Sequence, residues 1–337
     1  MKVSILIPCH NEEKSIKKCV ESCLNQTRKA DEIVVVDDGS TDKSVEILEG
    51  FGDKVKIIKI IKNTGNKSYV QQHGLNFVTG DVFIATDGDT VLDKNFVKSI
   101  YEDFKDKKVI AVAGYVKSLK HNWLTACREI DYIIGQDLYK RAQSYLNFIF
   151  VIPGCAGAFR TEVFKKHISF DHDTLTEDLD FTYKLNEHYF KIKFDSKAVV
   201  YTQDPATLKS YVKQLRRWYG GGWQNLIKHF RVAKDPIRAL ELSLLYVEGV
   251  LYASLLILTP LINYRFFEYF FVSIICINLV TGIYASICRK RWDLLVCAPL
   301  FPILVYINAY VYLEQLVMEV FLQKRNMIWF QPERRAI

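Results

Sequence analysis

Through the first half of the chain, short runs of apolar β-branched residues alternate with stretches whose apolar positions recur at helical spacing. The runs "KVSILIP", "EIVVVDD", "VKIIKII", "VFIATD" and "VIAVAGYV" have strand character, and residues 13–25, 42–49, 66–78 and 95–104 between them have helix character. Strands separated in this way predict an α/β domain, a parallel sheet with helices on both faces. Sheets of that kind bind ligands beyond the carboxyl ends of their strands. Here those ends carry Pro8, Cys9, His10 and Asn11, then Asp37 and Asp38, then Asp87, Gly88 and Asp89.

The pattern changes after Tyr201. Thr207 can cap a cationic helix whose apolar face is Leu208, Tyr211, Val212 and Leu215, with Gln214, Arg217 and Trp218 at i, i+3 and i+4 on one stripe. Gly220, Gly221 and Gly222 predict a flexible exit from that helix, followed by the basic segment "IKHFRVAKDPIRA". Three apolar segments follow, at 242–262, 269–287 and 294–313, each long enough to cross a bilayer. Glu248 inside the first is costly in lipid and is expected to face protein or a polar path. Arg231, Lys234 and Arg238 before the first segment, and Arg289, Lys290 and Arg291 after the second, place both flanks in the cytosol. A third full crossing would then export a basic tail with Lys324, Arg325, Arg334 and Arg335, unless Pro299 and Pro302 divide that segment into a re-entrant or hairpin element.

Charge and cysteine content narrow the setting. Net charge is +7, nearly all of it contributed before residue 239. That density suits a membrane surface or an anionic ligand and excludes a nucleic-acid-binding protein. The eight cysteines form no CxxC pair and no metal-finger spacing, as expected in a reducing compartment, and Cys19 with Cys23 reads as a pair of small buried residues. "KVSILIP" follows Met1 without the core of a secretory signal, so the N-terminal part is expected in the cytosol.

Candidate chemistry sits at the strand ends. In "ATDGDT", Asp87 and Asp89 can share a hard divalent cation and its phosphate ligand, although an exposed acidic turn has the same pattern. In "VVVDDGSTD", Asp37 or Asp38 can accept hydrogen bonds from a nucleobase or ribose, or Asp38, Ser40 or Thr41 can simply cap the next helix. Neither GxGxxG nor GxxxxGK[ST] is present, which removes the main support for a dehydrogenase or an ATPase. Lys67 is a cation between these acidic strands, suited to a carboxylate, a phosphate or solvent. In "TLTEDLDFTYKL", Thr174 and Glu177 fit a capping box, while the different directions of Glu177 and Asp178 suit one acid to orient a hydroxyl and the other to act as a base. Arg217 can bind a diphosphate in bidentate fashion and Trp218 can stack on a sugar, or the whole helix can lie on a membrane surface.

Taken in order, "IPCHNEE", "VVVDDGSTD", "NTGNKS", "ATDGDT", "PGCAGAFR", "LTEDLD" and "QLRRW" resemble the successive motifs of the membrane-bound family 2 glycosyltransferases, the branch with cellulose, chitin, hyaluronan and poly-N-acetylglucosamine synthases. The resemblance implies a Rossmann-like GT-A catalytic domain over residues 1–225, a basic interfacial segment at 226–241, membrane helices at 242–322 and a basic tail at 323–337. It implies that Pro8, Asn11, Asp37 or Asp38, and Lys67 line the nucleotide pocket, and that Asp87 and Asp89 hold the diphosphate with Mg or Mn. It further implies that Gly154 and Gly157 border the acceptor, Glu177 helps hold it, Asp178 is the base, and Gln214, Arg217 and Trp218 close the site. The implied partners are a nucleotide-sugar donor, a glycan or lipid-linked acceptor and membrane lipids, with accessory subunits or a homo-oligomer left open. The expected activity is inverting transfer from a UDP-sugar onto a growing polysaccharide at the plasma membrane. Single transfer to a polyprenyl phosphate or glycolipid, and a non-catalytic nucleotide-sugar-binding membrane protein, are the rival expectations.

Overall fold

The structure, a computed structural model, describes residues 1–324, 335 and 336. It divides into two compact units, one formed by 1–117, 140–203 and 333–337, the other by 118–139 and 204–332. The packing boundary therefore falls at 203/204, and a stretch from the middle of the chain joins the helical unit.

In the first unit, eight strands form one sheet: β1 (Val3–Cys9), β2 (Glu32–Asp38), β3 (Lys56–Ile60), β4 (Val82–Ala85), β5 (Val91–Leu92), β6 (Val109–Ser118), β7 (Gly157–Arg160) and β8 (Lys191–Thr202). Their spatial order is β3-β2-β1-β4-β7-β6-β8-β5. Strands β1 to β4 pair in parallel, as the alternation predicts, and β1 is buried along nearly its whole length, as a strand covered on both faces must be. The expectation of a wholly parallel sheet is corrected at β7, antiparallel to both β4 and β6, and at β5, antiparallel to β8. Strand β7 starts beside the carboxyl end of β4, opposite Ala85. That reversal brings Gly154 and Cys155 to the same edge as Asp37, Asp38 and Asp87.

The helices of this unit are α1 (Ile16–Leu24), α2 (Ser44–Glu49), α3 (Lys67–Leu75) and α4 (Phe96–Asp103), followed, after α5 of the second unit (Trp123–Ile133), by α6 (Arg141–Tyr145), α7 (Thr161–His167) and α8 (Glu177–Glu187). Helix α1 buries Ile16, Cys19, Val20 and Cys23 on one face, which accounts for the cysteine spacing by packing. Phe83, Phe159, Phe164, Phe170 and Phe181 meet at ring separations of 4.8–6.5 Å between the sheet and α7/α8. Such aromatic contacts add to area burial and hold α8 against the strands.

The second unit combines α5 with α9 (Leu208–Lys228), α10 (Pro236–Ile262), α11 (Tyr264–Arg289), α12 (Trp292–Cys297) and α13 (Phe301–Leu316). Arg238–Ile262, Tyr264–Arg289 and Trp292–Phe321 are each long and apolar enough to cross a membrane. The prolines of the third do not produce a hairpin: Pro299 falls in a 3₁₀ turn, Ala298–Leu300, and Pro302 in the first turn of α13, where the missing N–H has no intrahelical partner to lose. Gly220–Gly222 also depart from expectation, since α9 continues through them to Lys228. They are buried against neighbouring helices, and Tyr246 Oη donates to Gly222 O at 3.0 Å. Packing there outweighs the intrinsic helix cost of glycine, about 1 kcal/mol each. Glu248 is exposed on α10, because neighbouring Tyr246 and Gly249 take up the contact with Tyr312. Most of the tail, 325–334, lies outside the described residues.

Candidate active site

Asp38 ends β2, and Gly39 follows at φ +63°, with its Cα so close to Asn63 that a Cβ would stand 2.7 Å from the Asn63 nitrogen. A side chain there would be blocked by both conformation and space. The Asp38 carboxylate accepts from Thr64 N at 3.0 Å and Thr64 Oγ1 at 2.9 Å, so it fastens the loop that leads into α3 rather than capping α2. His10 Nδ1 lies 2.8 Å from Asp38 O. A carbonyl only accepts, so Nδ1 carries the proton and Nε2 accepts from Asn63 Nδ2 at 2.6 Å. Asn11 sits at φ +53° and its Oδ1 accepts from Thr41 N at 2.8 Å. Its side chain thus secures the turn after β2. Pro8 pairs with Val36, and Asp37 is buried behind Asp38.

Lys67 begins α3 and is the hub of the site. Its Nζ lies 2.6 Å from Asp87 Oδ1 and 2.8 Å from Glu177 Oε1. The side chains of Lys67 and Glu177 are only 13% and 5% exposed, so the sequence alternative of a solvent-facing lysine is removed. Burial by itself would lower the Lys67 ammonium; the adjoining charges of Asp87 and Glu177 outweigh burial and hold it above the ordinary lysine range. Glu177 is consequently unavailable to a capping box. Helix α8 starts without a side-chain cap, and Thr174 Oγ1 instead lies 3.5 Å from Thr176 O.

Asp178 is the next residue, half-buried, with its Oδ1 accepting from Leu179 N at 2.9 Å. Thr182 Oγ1 donates to Asp178 O at 2.5 Å and accepts from Ile152 N at 3.0 Å. This ties the first turn of α8 to the loop carrying Gly154. A Cβ on Gly154 would lie 3.3 Å from Lys67 Nζ, 3.4 Å from Glu177 Oε1 and 3.7 Å from Asp178 Cβ, so the backbone borders all three. Gly157, by contrast, lies inside the sheet, paired with Ala85 and Ala113. A Cβ there would meet Phe159 and Ile152 at 2.9–3.0 Å, and packing requires its small size.

Asp89 is 4% exposed and accepts from Thr90 Oγ1 at 3.3 Å. The Cys155 thiol is pushed up by burial and then by Asp87, Asp89 and Asp178, with Lys67 opposing them. The two aspartates of "ATDGDT" and Asp178 thus act on one thiol, which is partly exposed. Lys140, which sequence reasoning passed over as an ordinary basic residue, is also there: 7% exposed and pushed down to about 8 by burial, against the opposing pull of Cys155 and Asp178. Nothing in "YKRAQ" signals its burial. The donor set fits a hard divalent cation, since Asp87 and Asp89 offer carboxylate oxygens in a region with excess negative charge. Asp171, Asp173 and Asp180 also cluster within 4.8 Å, but Lys184 already pairs with Asp171 and Asp180 at 2.8 and 2.7 Å.

Gln214, Arg217 and Trp218 lie on α9 of the second unit. Gln214 is buried, and the Trp218 ring stands 5.0 Å from the Arg128 guanidinium of α5. Neither Arg128 nor Thr64 stands out in the sequence, because their partners come from distant segments.

Comparison with known proteins bears on the fold and the family. Residues 4–168 match the family model "Glycosyl transferase family 2". A poly-β-1,6-N-acetyl-D-glucosamine synthase of Staphylococcus epidermidis is 28% identical over 284 residues, 80% of this chain and 68% of that protein. Its counterpart in Staphylococcus aureus strain COL is 26% identical over 231 residues, 68% of this chain and 56% of that protein. Among solved structures, a mannosyltransferase of Pyrobaculum calidifontis in complex with GDP-Man and Mn²⁺ has a TM-score of 0.65 at 17% identity, covering 96% of this chain and 88% of that one. TarS 1–349 of S. aureus in complex with UDP-GlcNAc has a TM-score of 0.51 at 18% identity, covering 96% and 93%. These likenesses speak for the fold, a GT-A glycosyltransferase core with apolar helices at the C-terminal end. The chain therefore carries a family 2 glycosyl transferase domain over residues 4–168 and is a glycosyltransferase enzyme.

Proposed function

We propose that the enzyme moves a sugar, N-acetylglucosamine first among candidates, from a UDP-sugar to a hydroxyl of a growing β-linked polysaccharide at the membrane, with inversion. The observation that carries this reading is the convergence of Lys67, Asp87, Glu177 and Asp178 around Gly154. The sugar is suggested by the staphylococcal synthases. In this reading Asp38 faces the nucleoside, with Pro8, Asn11 and Asp37 shaping the pocket around it. Asp178 takes the proton of the acceptor hydroxyl as that oxygen attacks the anomeric carbon, and a single in-line displacement inverts the centre. Glu177, immobilised by Lys67, orients the hydroxyl, and Gly154 keeps the acceptor border free of side chains, whereas Gly157 serves sheet packing. Asp89 with Asp87 would hold Mg or Mn, which supplies Lewis-acid stabilisation of the leaving diphosphate. Gln214, Arg217 and Trp218 are assigned the diphosphate and acceptor contacts that their motif implies. One unit-charge contact at about 4 Å and an effective dielectric near 20 is worth roughly 4 kcal/mol before desolvation, enough to matter to the barrier.

Membranes containing the full chain, given UDP-GlcNAc, UDP-glucose, UDP-galactose or GDP-mannose with Mn or Mg, are expected to turn over UDP-GlcNAc preferentially. Mass analysis should then find a ladder of oligomers. Turnover of GDP-mannose alone would overturn the donor assignment, and a single lipid-extractable product would overturn polymerisation.

The same reading places the catalytic unit on the cytosolic face of the plasma membrane. Gln203 Nε2 donates to Arg335 O at 2.9 Å and Arg335 N donates to Gln203 Oε1 at 3.0 Å, both residues belonging to the first unit. In this reading the end of the chain returns to the cytosolic side with Gln203, and the number of full crossings is even. Helices α10 and α11 serve as the crossing pair. The run 292–321 suits the boundary: its Glu314 accepts from Arg216 at 2.8 Å twice, and its Glu319 accepts from Gln224 at 3.0 Å, both partners lying on amphipathic α9. Impermeant maleimide should label a cysteine placed at Tyr264 from outside intact cells and should reach one appended after Ile337 only once cells are permeabilised. External labelling of the C-terminal cysteine would refute the even count.

A further inference from the structure

Arg128 on α5 is 2% exposed, although its residue type is among those least often buried. Its guanidinium carbon stands 4.9 Å from the Tyr132 ring, 5.5 Å from the Tyr211 ring and 5.0 Å from the Trp218 ring. Asp204 Oδ1 lies 3.6 Å from its Nε, and Asp131 pairs with its Nη1. Tyr132 Oη donates to the same Asp204 oxygen at 3.0 Å. Burial would lower the charge of this arginine, but the surrounding tyrosines and aspartates keep it firmly protonated. Two helices and the loop before α9 are thus gathered around one planar cation, and the indole of "QLRRW" is one of its walls.

We infer that Arg128 is a positioning residue for acceptor binding: it holds the Trp218 indole in the orientation from which that ring meets the acceptor sugar. Trp218 is only half-buried, so contact with Arg128 leaves part of the ring accessible. A planar guanidinium can stack on an indole, whereas an ammonium makes a point contact. An indole already held in place loses less rotamer freedom on binding, and preorganisation of this kind lowers the cost of association. The inference rests on the proposed acceptor role of Trp218 and is silent on the donor.

The test uses the full chain in membranes, UDP-GlcNAc as donor and a β-1,6-linked N-acetylglucosamine tetramer as acceptor. Arg128→Lys keeps the charge while losing the flat guanidinium surface. It should raise the acceptor KM about tenfold, the size expected of one lost desolvated cation–π contact, and leave the donor KM unchanged. Combined with Trp218→Ala it should add little, since both changes remove one coupled pair. Tyr132→Phe, which removes only the hydroxyl bonded to Asp204, should stay close to wild type. A second measurement needs no substrate: in protein labelled with 5-fluorotryptophan, the ¹⁹F resonance identified as Trp218 by its loss in Trp218→Phe should shift and broaden in Arg128→Lys. An unmoved resonance, or a wild-type acceptor KM in Arg128→Lys while Trp218→Ala is impaired, overturns the inference alone. Normal transfer by Trp218→Ala would instead remove the acceptor role on which it rests.

Discussion

Replacing Asp178 with asparagine is expected to lower kcat by about 10² to 10⁴ while changing donor affinity less than threefold, the range of a lost general base. The substitution is nearly isosteric. An asparagine Oδ1 can still accept from Leu179 N, as Asp178 Oδ1 does at 2.9 Å, and Thr182 still bonds the main-chain oxygen at 2.5 Å. The start of α8 should therefore keep its shape, while the neutral amide lacks the charge and the basicity needed to take a proton. A radiolabelled UDP-sugar assay at saturating donor, paired with UDP binding by calorimetry, separates the two effects. Turnover near wild type would show that another group takes the proton.

Lys67→Met should be the most damaging change to stability at the site. It strips the cation from Asp87 and Glu177, which lie 2.6 and 2.8 Å from Nζ, and leaves Glu177 charged inside the protein. Breaking a buried pair from one side typically costs about 3–5 kcal/mol. Thermal unfolding in detergent micelles should reveal the loss. The folded value of Lys67 is raised, so its contribution is fully present below the unfolded lysine value of about 10.4 and is lost only as pH climbs through the still higher folded value. Across neutral pH the wild-type contribution should be flat. Equal unfolding temperatures for wild type and Lys67→Met at pH 7 would mean that the pair contributes nothing net.

The elements around β1 to β4 were legible because each announces itself locally: β-branched runs give the strands, and helices at 16–24, 44–49, 67–75 and 96–103 fall within the segments whose apolar spacing predicts them. The Thr207 cap was legible for the same reason, its side chain accepting from Ser210 N at 3.2 Å. Antiparallel β7 was not, since strand direction depends on which edge the chain reaches and leaves no mark on a four-residue strand. The glycines of α9 misled for a related reason: local propensity favours a break, whereas packing favours continuity. At the site, sequence left Glu177 divided between capping and chemistry, and the ion pair with Lys67 removes the cap.

Residue order by itself determined the α/β pattern, the acidic strand ends, the cationic amphipathic helix and the three apolar segments, because these follow from side-chain periodicity and charge over a few turns of chain. Tertiary structure alone decided that Lys67 joins Asp87 to Glu177, that Lys140 is buried, and that Arg128 lies against Trp218. Each of those depends on segments distant in sequence meeting away from water, where the balance of desolvation and charge is set by the neighbours that folding supplies.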